Sequence, residues 1–253
     1  MQKEHIMNSR EQGVYDILTA AYALFRENGF QATSVRQIAE AAGVSLGMIN
    51  HYFGSKEYLG AQVLSLLNSY LLAELPKHLV FEDDPILYDI VSVRLMFRFL
   101  FERGYKQFYL DSLKEDFFFK HLSSHPAVLI NILKKKYSFD ANEDEILLYS
   151  RYMPYMMEKT VILKKEEGFF PSIDYDDVPY LICHTAMSHF IPVQEIKARD
   201  AASKLITKVI LGSLEDVPPH EMIVDFVSSY CATNTQNAHN PHSWLPHISS
   251  VVN

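Results

Sequence analysis

Apolar residues recur along this chain at intervals of three and four, and alternation with a period of two is nearly absent. Val14, Ile17, Leu18, Ala21, Leu24 and Phe25 form one such stripe, wide enough to pack across two further helices, and Gly29 ends it. Ser34, followed three residues later by Gln37, is a capping-box start for a short second helix. Val35, Ile38, Ala39 and Ala42 give that helix its buried side. Gly43 supplies the left-handed conformation that a tight helix exit requires. Ser45 then caps a third helix with Ile49 and Phe53 pointing inward. A long helix follows from Lys56 to about residue 73, with Leu59, Val63, Leu66, Leu67 and Tyr70 on one side. After the turn FEDDP, helical patterns cover 86–103 and 106–121, separated near Gly104. SSHP breaks the chain, and a helix over 126–137 ends in three lysines. Asn142 with Glu145 opens a helix running to about 167, kinked at Pro154. The loop GFFPSIDYDDVP precedes helices at about 177–190 and 194–213. A last short helix is expected over 219–230, before the polar stretch TNTQNAHNPHSW, which reads as a mobile tail. The predicted fold is all-α: an N-terminal three-helix unit with a helix-turn-helix, then a larger helical part.

The third helix carries the candidate chemistry. With Ile49 and Phe53 buried, Leu46, Gly47, Asn50 and His51 face outward. Small, apolar and amide side chains on a short helix with one buried face suit the major groove of DNA. Asn50 can bond adenine bidentately and Leu46 can lie against a thymine methyl. Arg36 joins them as a base-reading candidate, with Ser45 at the helix start, and Asn50 or His51 could instead touch only phosphate.

The run AAYALFRENGFQATSVRQIAEAAGVSLGMINHYFGSKEYL resembles the N-terminal domain of the tetracycline-repressor (TetR) family of transcriptional regulators. LFRENGF, TSVRQIAEAAGVS and YFGSKE follow the family's order and spacing without gaps, over roughly residues 10–60, about a fifth of the chain. The resemblance implies phosphate contacts from Ser34, Tyr52 and Lys56, whose alternatives are structural: Ser34 as a cap, Tyr52 packed on a neighbouring helix. Family members often carry an aromatic residue where this chain has Asn50, so Asn50 is expected to read a different base or none. The resemblance also implies a helix from residue 56 that links the two parts. It implies a homodimer whose last two long helices, here 177–190 and 194–213, pair as a four-helix interface. The expected domains are 1–56 for DNA binding, 57–217 for effector binding and dimerisation, and 218–253 as a partly flexible extension.

Charge modifies this picture. The net charge is −8, and the first sixty residues hold five basic against six acidic side chains, so no basic surface is available there. Phosphate contact must come from local placement and helix N-termini, and a shallow salt dependence is expected. Apolar residues make up 48% and charged residues 21%, as in soluble globular proteins. MQKEHIMNSR lacks the apolar segment of a secretory signal, no stretch is long enough to cross a bilayer, and two cysteines make no disulfide framework. A reduced, cytoplasmic setting is expected.

Beyond residue 60 the chain is rich in aromatics, among them Phe97, Phe101, Tyr105, Phe108, Phe118 and Tyr152. With Met156 these could line a pocket for an apolar or aromatic effector, and core packing would explain them equally. Arg94, Arg98 and Glu102 recur every four residues, which predicts a solvated stripe with one ion pair. Turned inward, they would favour an anionic ligand. His121 with His125, Cys183 with His184 and His189, and the tail histidines His239, His242 and His247 lack metal-ligand spacing, so no metal or cofactor is expected. No GxSxG, phosphate-cradling glycine loop or paired-cysteine cluster argues for an enzyme. The expected function is a sequence-specific transcriptional regulator, a repressor released from a palindromic operator by a small molecule. The alternative is a constitutive or architectural DNA-binding dimer without an effector.

Overall fold

The computed structural model describes residues 6–117, 119 and 128–234, and among these every regular element is helical, as the apolar periodicity predicts. The helices are α1 (Ser9–Asn28), α2 (Val35–Ala41), α3 (Leu46–Phe53), α4 (Lys56–Glu74), α5 (Pro85–Glu102) and α6 (Lys106–Glu115). They continue with α7 (Val128–Tyr137), α8 (Glu143–Leu147), α9 (Met153–Glu166), α10 (Val178–Met187), α11 (Val193–Ser213) and α12 (His220–Asn234). The described residues gather into two units. The first draws on the spans 1–67, 104–125 and 216–253, the second on 68–103 and 126–215. The division at 215/216 lies within two residues of the sequence boundary near 217, whereas the first falls at 67/68 instead of 56, and 104–125 belongs with the first unit.

In the first unit, Asn8 and Glu11 form a capping box that starts α1, with the Asn8 N–H donating to the Glu11 carboxylate at 2.8 Å. Val14, Ile17, Leu18, Ala21 and Phe25 are buried along α1, while Leu24 is half-buried. Each fully buried side chain of this size contributes about 1.5–3 kcal/mol. The unit extends beyond the three N-terminal helices because α6 and α12 also pack on α1. Phe108 of α6 stacks on Phe25 at 4.9 Å, Phe117 meets Phe30 at 4.6 Å, and the Asp111 carboxylate accepts the Gln31 N–H at 3.0 Å. On the α12 side, Tyr15 and His220 share a hydrogen bond of 2.8 Å, and Arg26 pairs with Asp216 at 2.9 Å. The helix expected to run to residue 121 ends at Glu115, where Asp116 turns left-handed with φ 57°. Conversely, α12 continues to Asn234, past the expected limit at 230, because Val227, Tyr230 and Cys231 are buried on it.

The second unit has its core where Ile86 and Ile90 of α5, Ile130 and Leu133 of α7, Cys183 and Met187 of α10 and Ile196 of α11 meet. Where the sequence predicts a kink at Pro154, a wide π turn occupies Leu148–Tyr152, between α8 and α9. Proline has no N–H to continue the regular ladder, and the wide turn absorbs the mismatch. The stripe predicted on α5 is only partly solvated. Arg98 pairs with Glu102 at 2.6 Å as expected, but Arg94 is completely buried. Its guanidinium donates to the Asp200 carboxylate at 2.5 Å, to the Asp176 carboxylate at 3.2 Å and to the Ser203 hydroxyl at 3.1 Å. A spacing of four puts residues on one helix face, but α11 packs along α5 and covers the first of the three. The chain's own carboxylates occupy the place an anionic ligand would have taken.

Candidate nucleic-acid interface

The α2–α3 pair is built as the sequence predicts. Ser34 accepts the Gln37 N–H at 3.2 Å, and the Gln37 side chain accepts the Ser34 N–H at 2.8 Å, closing the capping box. Ile38 and Ala39 are buried, while Val35 and Ala42 are only half-buried, so the covered side of α2 is narrower than its apolar spacing implies. Gly43 takes φ 65° and lets the Val44 N–H reach back to the Ala39 carbonyl at 3.0 Å. Ser45 stands at the N-cap of α3, but its hydroxyl makes no capping bond there.

On α3, Ile49 and Phe53 are buried at 1% and 3% exposure. Ser45, Leu46, Gly47, Asn50 and His51 are exposed, with Leu46 at 45%. Arg36 on α2 is also exposed. A Cβ on Gly47 would meet only the Ser45 hydroxyl, at 3.8 Å, so the backbone is open to close approach from outside. An exposed Leu and amide around a bare glycine, on a helix seated by two buried side chains, is a surface that can lie against base edges.

Two implied phosphate ligands are engaged by the protein itself. The Lys56 ammonium donates to the Phe30 carbonyl at 3.0 Å and the Thr33 carbonyl at 3.1 Å, and it lies 4.1 Å from the centre of the Phe30 ring. Tyr52 is half-buried against α1, where a Cβ at Gly13 would come within 3.2 Å of its ring and 3.1 Å of the Met48 methyl. Gly13 therefore permits the close crossing of α1 and α3, a role that periodicity alone does not reveal. Tyr230 is a second such residue. Its hydroxyl donates to the Tyr52 carbonyl at 2.6 Å, and its ring stacks on Phe53 at 5.3 Å. Both depend on contacts between segments far apart in sequence.

Apart from Phe118, the residues considered for an effector pocket are distributed over both units. Tyr105 and Phe108 belong to the first unit, where Phe108 stacks on Phe25 and Tyr105 on Tyr22. Phe97 and Phe101 stack on each other at 4.3 Å in the second unit. Tyr152 and Met156 are 46% and 55% exposed, because the π turn and the start of α9 leave them facing outward. Among the described residues no group of three His, Cys, Asp or Glu side chains could hold a metal ion, and no helix is long and apolar enough to cross a membrane. His121, His125, His239, His242, His247 and Phe118 lie outside the described residues.

Residues 17–63 match the model of the tetR family of bacterial regulatory proteins. The chain is 35% identical over 96 residues to the HTH-type transcriptional repressor AcnR of Corynebacterium glutamicum, covering 35% of this chain and 48% of that protein. It is 45% identical over 49 residues to the HTH-type transcriptional repressor KstR2 of Rhodococcus jostii, covering 19% of this chain and 24% of that protein. The chain thus spans about half, or less, of the length of the curated relatives it matches. Among solved structures it is similar to a TetR-family regulator of Streptomyces coelicolor A3, with TM-score 0.32 and 18% identity, over 82% of this chain and 99% of that one.

Proposed function

This chain belongs to the TetR family of bacterial regulatory proteins, and on that premise we propose that it is a dimeric repressor that reads a palindromic DNA operator with α3. The observation that carries this reading is the outward face of Leu46, Gly47, Asn50 and His51 on a helix whose opposite side is locked down by Ile49 and Phe53. One short helix reads too few base pairs alone, so a two-fold pair presents two copies to two half-sites about 34 Å apart. Leu205 and Val209, four apart on α11 and 69% and 64% exposed, support α11 as the principal dimer face. On α10, Ile182, Cys183 and Met187 are committed to the core of their own unit, which leaves it the lesser part of that face.

Release by a small molecule follows the same premise. An effector that binds one dimer geometry more tightly than the other shifts the equilibrium, and operator binding must weaken effector binding by the same factor. Selection of bound fragments from random duplex DNA tests the proposal directly. The expected result is an inverted repeat with half-sites one helical turn apart; recovery of unenriched sequence would remove the function. Asn50→Ala should then lower discrimination at one base position per half-site by roughly 1–3 kcal/mol and leave the dimer intact. Unaltered preference in a repeat selection would take Asn50 off the reading surface.

A further inference from the structure

The last turn of α3 leaves carbonyls with no donor inside the helix, and three of them are met differently. The Asn50 carbonyl accepts the Gly54 N–H at 3.0 Å, and the Phe53 carbonyl accepts the Ser55 N–H at 2.7 Å. The Tyr52 carbonyl accepts the hydroxyl of Tyr230, a donor 178 residues along the chain. Tyr230 does more than cap. Its ring lies on Phe53 at 5.3 Å, and its hydroxyl interacts with that of Tyr58 in the first turn of α4. One buried side chain, 6% exposed, therefore touches α3 and α4 on both sides of the Gly54–Ser55 corner between them. A helix of eight residues has little stability of its own, so its pose depends on such outside contacts.

We infer that Tyr230 is a positioning residue for DNA reading: from α12 it fixes the α3–α4 corner, and so sets the pose in which Leu46, Gly47, Asn50 and His51 meet the bases. This rests on the function proposed above and adds the C-terminal helix to the reading unit. Without the hydroxyl, α3 spends less time in the competent pose, and operator affinity falls by the lost fraction. Affinity for unrelated duplex, driven by counterion release, does not depend on that pose.

The test compares the wild-type chain with Tyr230→Phe, which keeps the stacked ring and deletes only the donor. Tyr15→Phe serves as a control, since it removes the hydroxyl contact to His220 at the other end of α12. Titrations use the selected operator and an unrelated duplex, well below the unfolding temperature. For Tyr230→Phe, operator affinity should fall roughly 5- to 30-fold, the cost of one unmet buried carbonyl, while unrelated duplex binds within about twofold of wild type. Tyr15→Phe should keep the wild-type ratio of the two affinities. A wild-type ratio in Tyr230→Phe overturns the inference, and so does an equal fall in both variants, which would mark α12 as a generic support. If the wild type itself selects no operator, the proposed function fails first, and the two failures are distinct.

Discussion

The Lys56 ammonium sits 3.0 and 3.1 Å from two carbonyls of the α1–α2 connection and over the ring of Phe30. Replacing it by methionine keeps the stem but removes both donors. Lys56→Met is expected to destabilise the first unit by about 1–3 kcal/mol and to leave the salt dependence of operator binding unchanged. Denaturant unfolding and titrations at several salt concentrations read the two effects. A salt slope lower by about one per subunit, with an undisturbed unfolding midpoint, would return Lys56 to the phosphates. At this scale the motif region was the legible part. The exposure of Leu46, Gly47, Asn50 and His51, the capping box at Ser34 and the inward Ile49 and Phe53 all follow from local spacing. Lys56, Gly13 and Tyr230 were not legible in their structural roles, because each depends on a neighbour brought in from another element.

At the scale of elements, a helical period predicts which residues share a face but not what covers it. Arg94, Arg98 and Glu102 share a face of α5, yet α11 buries Arg94 beneath Asp200 and Ser203 while Arg98 and Glu102 keep water contact. Removing one member of such a group differs from removing the charge itself. Asp200→Ala leaves the guanidinium short of its nearest carboxylate and is expected to cost on the order of 3 kcal/mol in urea unfolding. Arg94→Met withdraws the buried charge, and Asp200 and Asp176 can turn to solvent, so its loss should be clearly smaller. Equal losses in the two variants would contradict this ordering. Element positions were largely readable, although the π turn before Pro154 was not. The ends of α6 and α12 were not, since a left-handed Asp116 and the burial of Tyr230 and Cys231 are products of packing.

For the molecule as a whole, two carboxyl groups of the second unit make stability depend on pH in an uncommon direction. Burial raises Asp89 to about 6, although a hydrogen bond from the Cys183 thiol opposes the shift, and burial raises Glu158 to about 8. Both hold protons more tightly when folded than when unfolded, so the folded state binds more protons across the interval. The contribution of these two groups is therefore expected to be greatest below about pH 4, to fall as pH rises, and to be lost above about 8. Urea midpoints measured across that range check the sign, and Glu158→Gln should flatten the upper half of the curve. A Glu158→Gln curve parallel to that of the wild type over the same interval would refute the assignment. The division of the chain into units was the least legible property, because α6 and α12 join α1 through contacts that no local pattern encodes.

That arrangement has a consequence for synthesis. The helices that seat α1 and hold α3 include one that ends at Asn234, so synthesis must pass that residue before the first unit can close around α3. The amino-terminal helices leave the exit tunnel early and wait for that closing piece, and non-local closure of this kind is slow. On the proposed reading, a nascent chain that has not yet exposed α12 is expected to hold duplex DNA poorly, and competence begins only once that helix has emerged.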